Sequence, residues 1–141
     1  MKSRILQKLK EIQENLDLIN EHLPSSPQEF KALGLVKDGI YKRLEFSIQN
    51  LIDICSMVYS DLQLGVPSDT DDIFNKLLEK KIFPEKTISL IKEMKGLRNI
   101  LIHRYGKIDD EIVHELLTER MNDFDNVLSI IENSKKIYKQ K

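Results

Sequence analysis

Apolar residues recur at three- and four-residue steps along almost the whole chain. Ile5, Leu9, Ile12, Leu16 and Ile19 line one face of a predicted helix over roughly 3–21. Pro24-Ser25-Ser26-Pro27 ends it, and a short helical turn over 28–33 is expected, stopped by Gly34. Tyr41, Leu44, Ile48, Leu51, Cys55, Val58 and Leu62 then repeat at near-heptad spacing, which predicts a long helix over about 37–62 suited to a bundle seam. Gly65-Val66-Pro67-Ser68-Asp69 breaks that pattern. A third helix over 71–80, capped by Ser68 or Thr70, turns Ile73, Leu77 and Leu78 inward. A fourth begins at Pro84 and runs to about His103, with Gly106 as its stop. A fifth starts at an Asp109 cap and buries Ile112, Leu116, Met121, Phe124, Leu128 and Ile131. The segment 135–141 reads as a basic, frayed tail. No stretch alternates like a strand. The expectation is an all-α fold, an up-and-down bundle of four to five helices in a single domain over 1–141.

Composition narrows the chemistry. With 141 residues the chain can bury a core without staples. A net charge of -1 argues against coating nucleic acid by bulk charge, so any polyanion contact must be local. The lone Cys55 excludes an internal disulfide framework and a thiolate cage, and its place on an apolar stripe reads as inert core. The first residues lack the apolar run of a signal peptide, and no stretch nears 18 apolar residues. A cytoplasmic location is expected. His22 and His114 have no neighbours at metal-ligand spacing, and Asp69, Asp71 and Asp72 read as helix-start acids; no metal and no cofactor are expected.

The fourth helix carries the candidate chemistry, in the order Arg98, Asn99, His103 and Tyr105. Arginine grips phosphate with a planar fork of donors, and histidine can exchange a proton near neutral pH. At about 100° per residue from Leu97, Arg98 falls near 100°, inside the apolar sector of Leu90, Met94, Leu101, Ile91 and Ile102. A charge there must be paired or must reach solvent. Asp53 on the long helix is a candidate partner, and a purely structural Arg98–Asp53 pair is one reading. Asn99, His103 and Gly96 fall near 200°, 240° and 260°, a polar stripe turned away from the core. An interior helical glycine such as Gly96 suggests close approach of a helix or ligand. Arg98 and His103, about 140° apart, cannot readily meet on one phosphate within one straight helix; two copies across a twofold axis can bring them together. Tyr105, near the helix end, is expected to expose its hydroxyl. From Lys92 to Lys107 five basic residues face the single Glu93, a local charge of +4, with Lys95, Arg104 and Lys107 as candidate polyanion contacts.

Gly96-Leu97-Arg98-Asn99-Ile100-Leu101-Ile102-His103-Arg104-Tyr105 resembles the motif of the HEPN superfamily, specifically its HepT-like toxins: Arg followed by Asn, His at the fifth position after Arg, and Tyr two further on. The likeness extends to the long helix around 43–58 with Leu51, Ile52 and Asp53, to Pro67 and the helix over 73–78, and to the Asp109-Asp110-Glu111 helix start. The resemblance implies a helical homodimer acting as a metal-independent ribonuclease. Arg98 would orient the phosphate, His103 would act as general base or acid, and Asn99 would support by hydrogen bonding, with Gly96 and Asp53 as structural support. Attack by an RNA 2′-hydroxyl would leave a cyclic phosphate. The resemblance further implies a minimal nucleotidyltransferase antitoxin that places AMP on Tyr105. Two other readings stay open on the residues: a non-catalytic accessory subunit of a nucleotidyltransferase that binds nucleotide or substrate, and a structural dimerisation module.

Overall fold

Ile5, Leu9, Ile12, Leu16 and Ile19 are all buried on one face of α1 (Lys2–His22). That face packs on α3 (Leu35–Asp61), whose Ile48, Leu51, Ile54, Cys55 and Val58 are also buried. Each buried aliphatic side chain contributes roughly 1.5–3 kcal/mol by leaving water, and this seam is the most extensive contact between two helices of the fold. The computed structural model describes residues 2–134 and Ile137. Among these there are seven α-helices and no strand. The predicted frayed tail lies, Ile137 apart, outside the described residues.

The long helix α3 is the hub, touching α1, α4 (Thr70–Glu79) and α5 (Glu85–His103). The short α2 (Pro27–Lys31) packs on α6 (Asp110–Glu119), and α7 (Met121–Glu132) closes against α5, α6 and α1. Three boundaries differ from the sequence expectation. Gly34, at φ 64°, does not merely stop the preceding turn: it forms the reversal from which α3 starts, a backbone region open to glycine. The cap of α4 is Asp69, which accepts from the Asp72 amide at 2.8 Å, rather than Ser68 or Thr70. The expected fifth helix is two, broken at Arg120, and the short turn after α1 counts as a helix of its own, so the predicted four to five helices become seven. At that break Arg120 donates to Asp123 at 2.8 Å and to Glu93 of α5 at 3.1 Å. The break also resets the helical phase: Ile112, expected inside, is 55% exposed, while Val113, His114 and Leu117 face inward.

His114 is a core residue. Its Nε2 pairs with the Pro24 carbonyl at 2.8 Å and its ring lies against Phe30. Cys55 is fully buried, and burial pushes its thiol up to about 12. Among the described residues no helix is long and apolar enough to cross a membrane.

Candidate functional site

The first half of α5 is anchored by buried Thr87, Ile88, Leu90 and Ile91; in its second half only Leu101 is buried. That leaves Arg98, Asn99 and His103 on a helix segment anchored by buried Leu101 and by partly buried Leu97, with their side chains distributed over two surroundings.

Arg98 turns toward α3 and is half-buried. Its Nη1 donates to Gln49 Oε1, and its Nη2 donates to Asn99 Oδ1 at 2.7 Å. Its Nε is buried without a partner. The expected direct pair with Asp53 is not made. Asp53 lies one helical turn further along α3 and accepts instead from Gln49 Nε2 at 2.9 Å. Lys8 of α1 approaches Asp53 at 3.9 Å and donates to Asn50 at 3.3 Å. The sequence reading missed Gln49; the available signal was its four-residue spacing from Asp53 on the same helix face.

His103, the last residue of α5, is exposed and its side chain makes no hydrogen bond among the described residues. It lines an open groove of about 1080 Å³ between the end of α5 and α6, together with Gly96, Ile100, Arg104, Lys107 and Ile112. The groove carries the predicted polar stripe, with one change: Asn99 turns to Arg98 and does not line it. Gly96 is exposed, and no atom lies within 4 Å of where its Cβ would stand, so the close approach expected there does not occur within one chain. Arg98 is not in this groove either. A single chain therefore keeps the arginine and the histidine on separate faces, as their angular separation predicts.

Arg104 leaves the helix at φ −132°, and Tyr105–Lys107 form one 3-10 turn, so Gly106 lies past the stop rather than forming it. The Tyr105 ring is 46% exposed, but its hydroxyl is not free as expected: it donates to Asp38 Oδ1 in the first turn of α3. The ring meets Tyr41 edge to face, with centroids 5.9 Å apart. Tyr41 in turn donates to Asp110 Oδ1, and Lys37 binds the other oxygen of Asp110 at 2.8 Å. Partial burial, followed by the hydrogen bond to Asp38, pushes the Tyr105 phenol up to about 12. Burial works against ionised Asp110, but the Lys37 and Tyr41 hydrogen bonds outweigh it and hold that carboxyl below its ordinary value. Asp38 and Tyr41 were not read as site residues; they lie 67 and 64 positions from Tyr105, and no local pattern announces such a contact.

The basic cluster divides. Lys95 is paired with Asp71 at 3.1 Å and Lys92 donates to Asn75 at 2.8 Å, both on or beside α4. Arg104 and Lys107 make no side-chain hydrogen bond or ion pair among the described residues, and both line the His103 groove. Among the described residues no group of three His, Cys, Asp or Glu side chains is arranged to hold a metal ion.

A family model described as ribonuclease HepT-like matches residues 12–131. The mRNA nuclease HepT of Shewanella oneidensis is 27% identical over 104 residues, 74% of this chain and 78% of that one. A protein of Archaeoglobus fulgidus is 33% identical over 100 residues, covering 71% of this chain and 74% of its own. The tri-AMPylated HEPN toxin of Shewanella oneidensis, solved in complex with its MNT antitoxin, superposes with a TM-score of 0.82 at 25% identity, over 94% of this chain and 98% of that one.

Proposed function

The chain belongs to the ribonuclease HepT-like family, and we propose that it is the toxin of a toxin–antitoxin pair, a metal-independent endoribonuclease whose site is completed across a homodimer. One observation carries the reading: His103, Arg104 and Lys107 open together onto an unoccluded groove at the end of α5, while Arg98, five residues before His103, carries a charge that no carboxylate among the described residues touches. Half-exposed Ile100 and Ile112 flank the same groove and give a twofold partner apolar surface to cover.

In this mechanism the RNA 2′-oxygen attacks the adjacent phosphorus. His103 takes the 2′-hydroxyl proton as the new O–P bond forms. The P–O5′ bond breaks, the 5′-oxygen takes a proton from water, the proton on His103 returns to solvent, and a cyclic phosphate remains. Arg98 holds the non-bridging oxygens, whose charge grows in the transition state. Asn99 fixes one arm of the Arg98 fork. Arg104 and Lys107 hold the flanking backbone, and Lys95 joins them once released from Asp71.

Control comes from a nucleotidyltransferase antitoxin that transfers AMP to Tyr105. The phenol oxygen bonds to the α-phosphorus of ATP, pyrophosphate leaves and the phenol proton is lost. The product can no longer donate to Asp38, and it places a phosphate charge beside that carboxylate. Bulk and negative charge then stand at the mouth of the groove, where they exclude RNA.

The test is cleavage of single-stranded RNAs in EDTA by protein whose intact mass shows no added AMP, with His103→Ala beside wild type. Cleavage by wild type alone is the expected result. An inert, unmodified, dimeric wild type would instead move the assignment to an accessory subunit of a nucleotidyltransferase. Tyr105→Phe is expected to refuse AMP and to keep most of the cleavage; AMP found on that variant would rule out Tyr105 as the acceptor.

A further inference from the structure

A half-buried arginine is ordinarily matched by a carboxylate, and one stands nearby in Asp53. The chain nevertheless inserts an amide between them. Gln49 donates Nε2 to Asp53 and offers Oε1 to Arg98 Nη1. Both neighbours force that orientation, because an ionised carboxylate only accepts and a guanidinium only donates. The second acceptor on the fork, Asn99 Oδ1, is also a neutral amide oxygen. Among the described residues Arg98 has no ion pair. The charge of Asp53 is instead approached by Lys8 at 3.9 Å.

An arginine positioned by neutral acceptors keeps its full charge for an incoming anion, whereas one locked to a carboxylate has spent it. Of the five N–H donors of the guanidinium, one on each Nη is used and Nε–H is buried. One hydrogen remains on each Nη, the pair of atoms with which the fork grips phosphate.

We propose that Gln49 is a positioning residue for phosphate recognition: it fixes the Arg98 fork with a neutral oxygen while Asp53, one amide away, locks Gln49 without neutralising Arg98. This rests on the ribonuclease reading for its substrate, and it assigns to Asp53 a role through Gln49 rather than on Arg98 itself.

The experiment is an exchange within the network, Gln49→Glu combined with Asp53→Asn. Net charge and the number of carboxylates are unchanged; the carboxylate moves next to Arg98 and away from Lys8. Two readouts are taken: kcat and KM on a single-stranded RNA, and the salt dependence of binding to the same strand made with 2′-deoxyribose, which offers no attacking hydroxyl. The exchange is expected to keep the helical content and melting temperature of wild type. It is expected to lower kcat/KM by at least about tenfold and to reduce the slope of log affinity against log salt by about 0.7 for every phosphate that Arg98 no longer neutralises. Wild-type cleavage and wild-type slope in the exchange variant would overturn the proposal.

Gln49→Met supplies an independent arm should the exchange variant not fold. It removes the acceptor but leaves Arg98 charged, so the slope is expected to hold while kcat drops severalfold; an unchanged kcat would refute the positioning role. If wild type binds the deoxy strand yet cuts no RNA, the ribonuclease reading fails, and the slopes still report whether Gln49 protects the charge of Arg98.

Discussion

The two halves of α5 are built on different principles. Its first half, with Thr87, Ile88, Leu90 and Ile91 buried, is fixed by apolar packing on α3 and α4. Its second half and the 3-10 turn after it expose Ile100, Ile102 and Tyr105 by 42–46%. Besides buried Leu101 and partly buried Leu97 and Ile108, directional polar contacts hold this part: Arg98 to Gln49, Tyr105 to Asp38. Packing is insensitive to which ligand arrives, whereas a hydrogen bond can be exchanged for one made to a phosphate or broken when its donor is esterified. One helix thus carries a rigid base and a segment whose contacts can be traded.

Substitutions in the two halves should therefore fail in opposite ways. The largest effect is expected from His103→Ala, about 10²–10⁴-fold in cleavage, the usual contribution of a positioned acid–base group. Its melting temperature should stay at the wild-type value, since the side chain is exposed and unpartnered. Ile91→Ala is the converse. Ile91 is fully buried, so truncation should cost about 2–5 kcal/mol in chemical denaturation. The folded fraction should still cleave RNA at close to the wild-type rate. A His103→Ala protein that melts early, or an Ile91→Ala protein that is stable yet inactive, would remove the distinction between the halves.

The apolar half was readable from spacing alone, because burial on one face of a helix leaves a periodic trace in the sequence. The motif residues were readable too, as was the separation of Arg98 from His103, since both follow from the turn of one helix. What the sequence concealed was contact between elements. Arg98 meets Gln49 across 49 positions and Tyr105 meets Asp38 across 67, and nothing in local periodicity selects Gln49 over Asp53 as the residue that Arg98 reaches. The division of the last predicted helix at Arg120 was hidden for a related reason. No glycine or proline marks it, and Arg120 makes contacts to Glu93 and Asp123 there. The assignment of exposed Ile112 to the core followed from treating the two helices as one.

A smaller effect tests how the groove is framed. Asp109 accepts from the amides of Glu111 at 3.0 Å and Ile112 at 3.3 Å, which fixes the start of α6 and with it the wall opposite His103. Asp109→Ala should cost about 1 kcal/mol, as removal of a helix cap ordinarily does. Because α6 borders the groove, cleavage should fall modestly, with the change mainly in KM. A loss of stability without any kinetic change would mean that the α6 wall takes no part in binding.

The smallest effect concerns the contact most exposed to exchange. The folded chain holds the Tyr105 proton more tightly than an unfolded one, with its phenol moved from 10.0 to about 12 by partial burial, the Asp38 hydrogen bond, and the charges of Asp38 and Asp110. A raised phenol contributes stability that is fully present below pH 10 and is lost as pH rises through about 12. Lys37 and Tyr41 are both occupied with Asp110 and do not replace Asp38 at the Tyr105 hydroxyl. Asp38→Asn keeps an acceptor for that hydroxyl but removes the charge, so the Tyr105 phenol should titrate nearer 10. Phenolate absorbance, taken as the difference from Tyr105→Phe in each background, isolates this one group from Tyr41. If the polar half of α5 is held as described, the alkaline transition of wild type should release the 3-10 turn before it unfolds the buried half, and Asp38→Asn should bring that release to lower pH. Coincident loss of both halves in wild type would show that the Tyr105–Asp38 contact is tied to the core and is not separately exchangeable.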